Sequence, residues 1–275
     1  MHDFGLEEAA TNISKGVAMG KALPIILGTG AVAGGLTLRW MAQKMSVAQM
    51  TPEDEELVKT QPGGDYIKPE ELKMHAGRAI TIDAPPEKVY PYLKQLGCHK
   101  AGFYSYEYLE RLFGYHIYND YTIEQKWQDT KVGDWIPYRQ NGAGTGVYGM
   151  KENEYLLTGT DSRKEPTDYW GTAWYPKGFG FIAWTWNFYT FPVDGGKKTR
   201  LVAVNDVAHN DDVPPFWYAI AMLIYGLTGQ VMSGKMMEVL KGCAEGTYKP
   251  AERQKAKNAL RNRLYYCGEP EWGKQ

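Results

Sequence analysis

Residues 80–97 read ITIDAPPEKVYPYLKQLG and pass from strand to helix without a linker. Residues 78–83 alternate polar and apolar side chains, the two-residue period of a half-exposed strand. Pro85 and Pro86 then end the ladder, because proline has no N–H to donate, although it suits a first helical turn. Glu87 adds negative charge where the helix dipole favours it. Val89, Leu93 and Leu96 fall at i, i+4 and i+7 and form one apolar face, and Gly97 supplies a left-handed stop. A strand that hands over so abruptly must be passing the chain to helices that close one end of a sheet.

The rest of the chain fits that plan. Residues 105–113 predict a second short helix, with Ser105 as its cap and Gly114 as its end. Strand-like runs follow at 133–138, 145–150, 155–160, 181–191 and 200–207. They are separated by turn clusters such as Asn141-Gly142-Ala143-Gly144 and Asp194-Gly195-Gly196. Such short links favour an antiparallel sheet. A long helical stretch, about 215–246, closes the series, giving an α+β architecture.

Composition bounds the function classes. The 275 residues are 43% hydrophobic and 23% charged, which is the balance of a folded chain of one large or two small domains. A net charge of −1 gives no electrostatic case for nucleic acid. The aromatic share is high at 13%, with 20 Tyr and 9 Trp, as in chains that line apolar cavities or sit at membrane interfaces. Cys98, Cys243 and Cys267 are odd in number and far apart, so they form no disulfide framework. The histidines (His2, His75, His99, His116, His209) are scattered, and neither metal nor cofactor is expected.

Residues 22–38 carry no charge and lie between Lys21 and Arg39. As a helix they span roughly 25 Å, close to the thickness of a bilayer core. Trp40 suits the interface, and the flanking cations can snorkel. A transmembrane anchor over residues 22–45 is therefore expected. A signal peptide ending near Ala31-Val32-Ala33 fits less well, because apolar sequence continues past it and Asp3, Glu7 and Glu8 precede it. A buried globular helix would show a polar face, and this one shows none. Lys15 and Lys21 balance Arg39 and Lys44, so flanking charge sets no orientation. Residues 1–21 read as a tail, 46–76 as a polar connector, 77–248 as the domain, and 249–275 as a basic tail. That tail, facing an anionic leaflet, would place the domain on the cytoplasmic side.

The blocks ITIDAPPEKVYPYLKQLG, AGFYSYEYLERLFG, WQDTKVGDWIP, TWNFYTFP with TRLVAVNDV, and VMSGKMMEVLKGCAEG follow one another in the order seen in the SRPBCC (START-like, Bet v 1-like) superfamily. The chain resembles its bacterial polyketide cyclase/dehydrase and lipid-transport-like members over residues 77–246. The resemblance implies a helix-grip fold: a curved antiparallel sheet around a long C-terminal helix, with an apolar cavity between them. It further implies binding of a lipid or other hydrophobic small molecule, and some members are enzymes. This chain departs from the pattern in its N-terminal anchor, its long aromatic loop at 161–180 and its very apolar stretch at 213–231. Asn205 stands where an arginine is common, and no role carries over to it.

Within β-strand 181–191, Ile182, Trp184, Trp186 and Phe188 form the set expected on the inner side, either as cavity wall or as plain core. Expected ligand-binding residues are Tyr104, Tyr106, Glu124, Trp184, Trp186 and Phe188, and Gln128, Asp134 and His116 are further polar candidates. Asp134, next to Gly133, also reads as a turn residue. The leading expectation is a membrane-anchored protein that binds a hydrophobic small molecule or lipid in an aromatic-lined cavity. A cyclase- or dehydratase-like enzyme is the first alternative and needs a desolvated Glu, Asp or Tyr beside the substrate. A subunit docking on a membrane-protein partner through Trp170, Trp174 and Tyr175 is the second.

Overall fold

The computed structural model describes residues 48–112, 117–138, 144–164, 181–210, 216 and 228–250, and in it the handover after the first strand runs through two prolines. Pro85 is extended (φ −69°, ψ 160°) and caps a helix that begins at Pro86. The described elements are α1 (Pro52–Lys59), β1 (Leu72–Ile82), α2 (Pro86–Lys94), α3 (Glu107–Leu112), β2 (Trp135–Pro137), β3 (Gly144–Lys151), β4 (Tyr155–Asp161), β5 (Ile182–Val193), β6 (Lys198–His209) and α4 (Thr228–Ala244). All lie in one compact unit, Met45–Gln275.

The six strands form one sheet in the order β1-β6-β5-β4-β3-β2, and every neighbouring pair is antiparallel. Tight turns set the register locally. Asn153 at φ 62° reverses β3 into β4, and Asp194, Gly195 and Gly196 at φ 52°, 64° and 83° reverse β5 into β6. The first strand pairs with the last, Ile80 opposite Leu201, and forms one edge of the sheet. Register shifts at Leu72/Met74 and Val147/Gly149 are bulges, which bend a sheet. Helix α4 packs mainly on β1 and α2. A curved antiparallel sheet with a C-terminal helix across it is compatible with the helix-grip plan.

The core between sheet and helices joins Ile82, Leu156, Phe188, Leu201 and Ala203 to Val89 and Leu93 of α2 and to Met236, Met237 and Leu240 of α4. Each large apolar side chain so buried contributes about 1.5–3 kcal/mol. Tyr90 reaches from α2 to donate its hydroxyl to the Tyr155 carbonyl (2.9 Å), which ties the helix to β4.

Several boundaries differ from the sequence expectation. The first strand starts at Leu72 rather than at 78, within the stretch expected as a connector. Helix α3 starts at Glu107, two residues later than expected, and the Ser105 hydroxyl is buried without a hydrogen bond, so it is no cap. Helix α2 stops at Lys94, before Gly97, whose φ of 129° serves a bridge to Gly102. The expected anchor, residues 22–45, lies outside the described residues, as do most of 213–231 and nearly all of the basic tail. Among the described residues no helix is long and apolar enough to cross a membrane.

Residues 48–71 are a strap across the outer face of the sheet. A reciprocal capping box starts α1: the Asp54 N–H donates to Thr51 Oγ1 (3.3 Å) and the Thr51 N–H to Asp54 Oδ2 (2.8 Å). Arg200 of β6 grips the same carboxylate through Nε (2.9 Å) and Nη2 (2.6 Å). Further along, the Tyr189 hydroxyl donates to the Pro62 carbonyl (2.9 Å), and Tyr148 donates to that of Gly63 (3.2 Å). Met50 and Val58 pack on Ala79, Leu157, Val202 and Val204. Both faces of β5 are therefore covered, which period-two alternation alone would not lead one to expect.

Candidate functional site

Helix α4 lies mainly along β1, so the inner side chains of β5 meet other partners. Trp186 packs on Phe188 (ring centroids 4.9 Å apart) and on Phe103 (5.9 Å). Tyr138, just after β2, sits 5.1 Å from Trp184 and 5.2 Å from Phe103. These five rings form one patch on the inner face. Trp184, Trp186 and Phe188 thus fall on the side that alternation assigns them, and Phe103 and Tyr138 join them from elsewhere in the chain.

Phe103 is aimed by a backbone clamp. Asn119 Oδ1 accepts the N–H groups of Phe103 (3.1 Å) and Tyr104 (2.8 Å), and Asn119 Nδ2 donates to the Ser105 carbonyl (3.2 Å). The clamp needs glycine at 102: φ is 77°, and a Cβ there would lie 2.6 Å from Asn119 Oδ1. It also holds Tyr104 at φ 56°, a left-handed conformation that non-glycine residues rarely adopt.

The inner face is closed at one end and looser at the other. Phe188, Leu156, Leu201 and Ala203 are buried under α2 and α4. Along the same face Trp184, Trp186, Asn205, Val207 and Tyr138 are only half-buried. The Asn205 amide donates to the Thr185 carbonyl (3.2 Å), so it acts within the sheet. The indole N–H groups of Trp184 and Trp186 and the hydroxyls of Thr145 and Thr160 are buried with no hydrogen-bond partner. An unpaired buried donor costs about 1–3 kcal/mol, and native proteins hold few of them.

The other sequence candidates lie elsewhere. Tyr104, Glu124 and Gln128 converge on Gln95, which is fully buried. Gln95 Nε2 donates to Tyr104 Oη (2.7 Å) and to the Thr122 carbonyl (2.8 Å), while its Oε1 accepts from the Glu124 backbone N–H (3.2 Å) and from Gln128 Nε2 (3.3 Å). This is a satisfied structural hub, and it uses the backbone of Glu124 rather than its carboxylate. Tyr106 stacks edge-on with Tyr108 at 5.7 Å, under the Lys235 ammonium of α4 (5.9 Å). Burial raises its hydroxyl pKa, and Glu238 and Tyr108 add to the effect. Asp134 accepts from the Lys131 N–H (2.9 Å) and fixes that turn. His116, Trp170, Trp174 and Tyr175 lie outside the described residues.

One charged group escaped sequence reasoning. Glu110 of α3 is 2% exposed, and neither carboxylate oxygen has a hydrogen-bond partner. Burial, reinforced by Glu107 and opposed by Arg111, raises its pKa to about 8, so it is held protonated at neutral pH. A glutamate between Leu109 and Leu112 reads as solvent-facing, yet Leu112 is 76% exposed. Among the described residues no group of three His, Cys, Asp or Glu side chains gathers as a metal site requires.

No protein-family model matches this chain, and no curated protein matches it. Solved structures are similar to it at low identity. A START superfamily protein from Mycobacterium smegmatis is 16% identical, with 63% of this chain and 99% of that one covered, at a TM-score of 0.33. A protein from Mesorhizobium loti is 15% identical over 64% of this chain and 100% of that one, also at 0.33. A conserved protein of unknown function from Enterococcus faecalis is 13% identical over 72% and 91%, at 0.31. Likeness at this level carries no inference about function.

Proposed function

We propose that this protein binds a hydrophobic small molecule or lipid on the inner face of its sheet, against Phe103, Tyr138, Trp184 and Trp186, as a START-like (SRPBCC) protein tethered by residues 22–45. The observation that carries the reading is the gradient along that face. Tyr138, Trp184 and Trp186 stay half-buried there, Tyr138 5.1 Å from Trp184 and Trp186 5.9 Å from buried Phe103, while Phe188, Leu156, Leu201 and Ala203 at the other end are buried. Rings of this kind offer a large apolar area at little conformational cost, which suits an apolar guest.

Extraction of the full chain from its own membrane, followed by native mass spectrometry, tests the reading. A stoichiometric apolar molecule is expected, lost in a Trp184→Ala, Trp186→Ala double variant that still folds. Protein recovered empty under gentle conditions, and unresponsive to added lipids, refutes it. Release of the chain from membranes by alkaline carbonate would separately refute the tether. Cyclase- or dehydratase-like chemistry would turn to Glu110 as a neutral acid, but no second ionisable group among the described residues hydrogen-bonds to it. Binding is therefore the better-supported reading.

A further inference from the structure

The unpaired donors on the inner face are arranged, not scattered. Thr160 stands directly opposite Trp184 across the β4–β5 ladder. The Gly146–Gly159 pairing puts Thr145 opposite Thr160 in turn, so the three side chains form one row across β3, β4 and β5. Trp186 follows in the next row, opposite Thr158. Thr158 shows what a satisfied threonine does here: its hydroxyl donates to the Trp186 carbonyl at 2.6 Å. The hydroxyls of Thr145 and Thr160 and the two indole N–H groups make no such bond, although Thr145 and Thr160 are each 1% exposed.

The chemistry of these groups is one-sided. An indole N–H can only donate, and a hydroxyl can donate or accept. Two N–H groups and two hydroxyls beside an aromatic patch are all matched by a group rich in oxygen acceptors, whereas a group that only donates leaves the two N–H groups unmatched. We propose that the ligand is an apolar molecule with an oxygen-acceptor head, such as a ketone, ester or carboxylate, seated against the Thr145–Thr160–Trp184 row, with its apolar body on Trp186, Phe103 and Tyr138. This rests on the binding reading above and names the ligand class it leaves open. Selection comes from the indoles: a head that accepts can relieve all four groups, whereas one that only donates can pair with the hydroxyl oxygens alone and leaves both indole N–H groups unpaired.

The test uses three soluble eight-carbon probes, octanoate, 2-octanone and octylammonium, with the full chain in lipid nanodiscs and empty nanodiscs as the partition control. Binding is read from tryptophan fluorescence at matched free probe. Octanoate and 2-octanone are expected to bind at least about tenfold more tightly than octylammonium. Thr160→Val should reduce acceptor binding several-fold and raise the thermal midpoint of the unliganded protein, because it removes a buried unpaired hydroxyl. Trp184→Phe, which keeps a ring and deletes the N–H, should reduce acceptor binding several-fold and leave octylammonium unchanged, and it stands alone if the threonine variant does not fold. Equal binding of all three probes, or an acceptor preference unchanged in both variants, overturns the proposal while leaving apolar binding intact. No binding of any probe overturns the binding reading, and this proposal with it.

Discussion

Asp54→Asn is the sharpest test of the strap. The Asp54 carboxylate is 5% exposed and sits between the Arg200 guanidinium, 19% exposed, and the capping box of Thr51. Asparagine keeps the volume and one acceptor, but turns an NH2 group toward the arginine donors. Removing one partner of a fully buried pair costs about 3–5 kcal/mol. Arg200 recovers part of its hydration, so about 2–3 kcal/mol is expected, or roughly 5–10 °C in thermal midpoint. Urea unfolding followed by far-UV circular dichroism measures this, and limited proteolysis should locate new cuts between residues 48 and 71. Glu53→Gln in the same helical turn is exposed and should change stability by under about 0.5 kcal/mol. Replacing both members, Asp54→Leu with Arg200→Met, should restore most of the loss, because no stranded charge remains. Burial pushes the Asp54 pKa up, but the hydrogen bonds from Arg200 and Thr51 outweigh it and leave it below the ordinary value of 3.8. Its stabilisation is thus present above that value and is lost as pH falls through the folded pKa, so wild type and variant should converge progressively as pH drops below 3.8. A variant as stable as wild type at neutral pH, with an unchanged cleavage pattern, would refute the strap as a stabilising element.

Two pH predictions follow from other groups. His75 lies 2.6 Å from Asp206 and 3.3 Å from Glu55, joining β1 to β6 and to α1, and the hydrogen bond to Asp206 leads in raising its pKa above 6.5. Its contribution is full below 6.5 and is lost as pH rises through the folded pKa. The urea midpoint of His75→Gln should therefore trail wild type most near pH 6 and least near pH 8.5, and a constant gap would contradict this. Glu110 has a folded pKa of about 8 against an ordinary 4.5, so the folded state holds its proton longer and loses stability as pH climbs between those values. Glu110→Gln should match wild type near pH 4.5 and become more stable by a few kcal/mol above pH 8, read from urea midpoints across that range. Parallel curves would mean that the carboxyl is hydrated or paired.

Local physics made part of this molecule legible from its sequence. A proline pair that cannot extend a ladder, an i, i+4, i+7 apolar repeat and turn residues that tolerate positive φ fix the strand-to-helix handover and the β5–β6 hairpin. Alternation was enough to put Trp184, Trp186 and Phe188 on one face. Each of these depends on neighbours a few residues apart.

Partners distant in sequence were decided only in the tertiary structure. Arg200 meets Asp54, β1 meets β6, and Asn119 holds the backbone at 103–104, because packing and register join segments that share no local pattern. Gln95 gathers three of the residues that looked like site candidates, and Glu110 is buried while Leu112 is exposed. Likewise, alternation can assign an indole to a face but cannot say whether its N–H finds an acceptor there. That depends on what the fold brings within about 3 Å of the nitrogen.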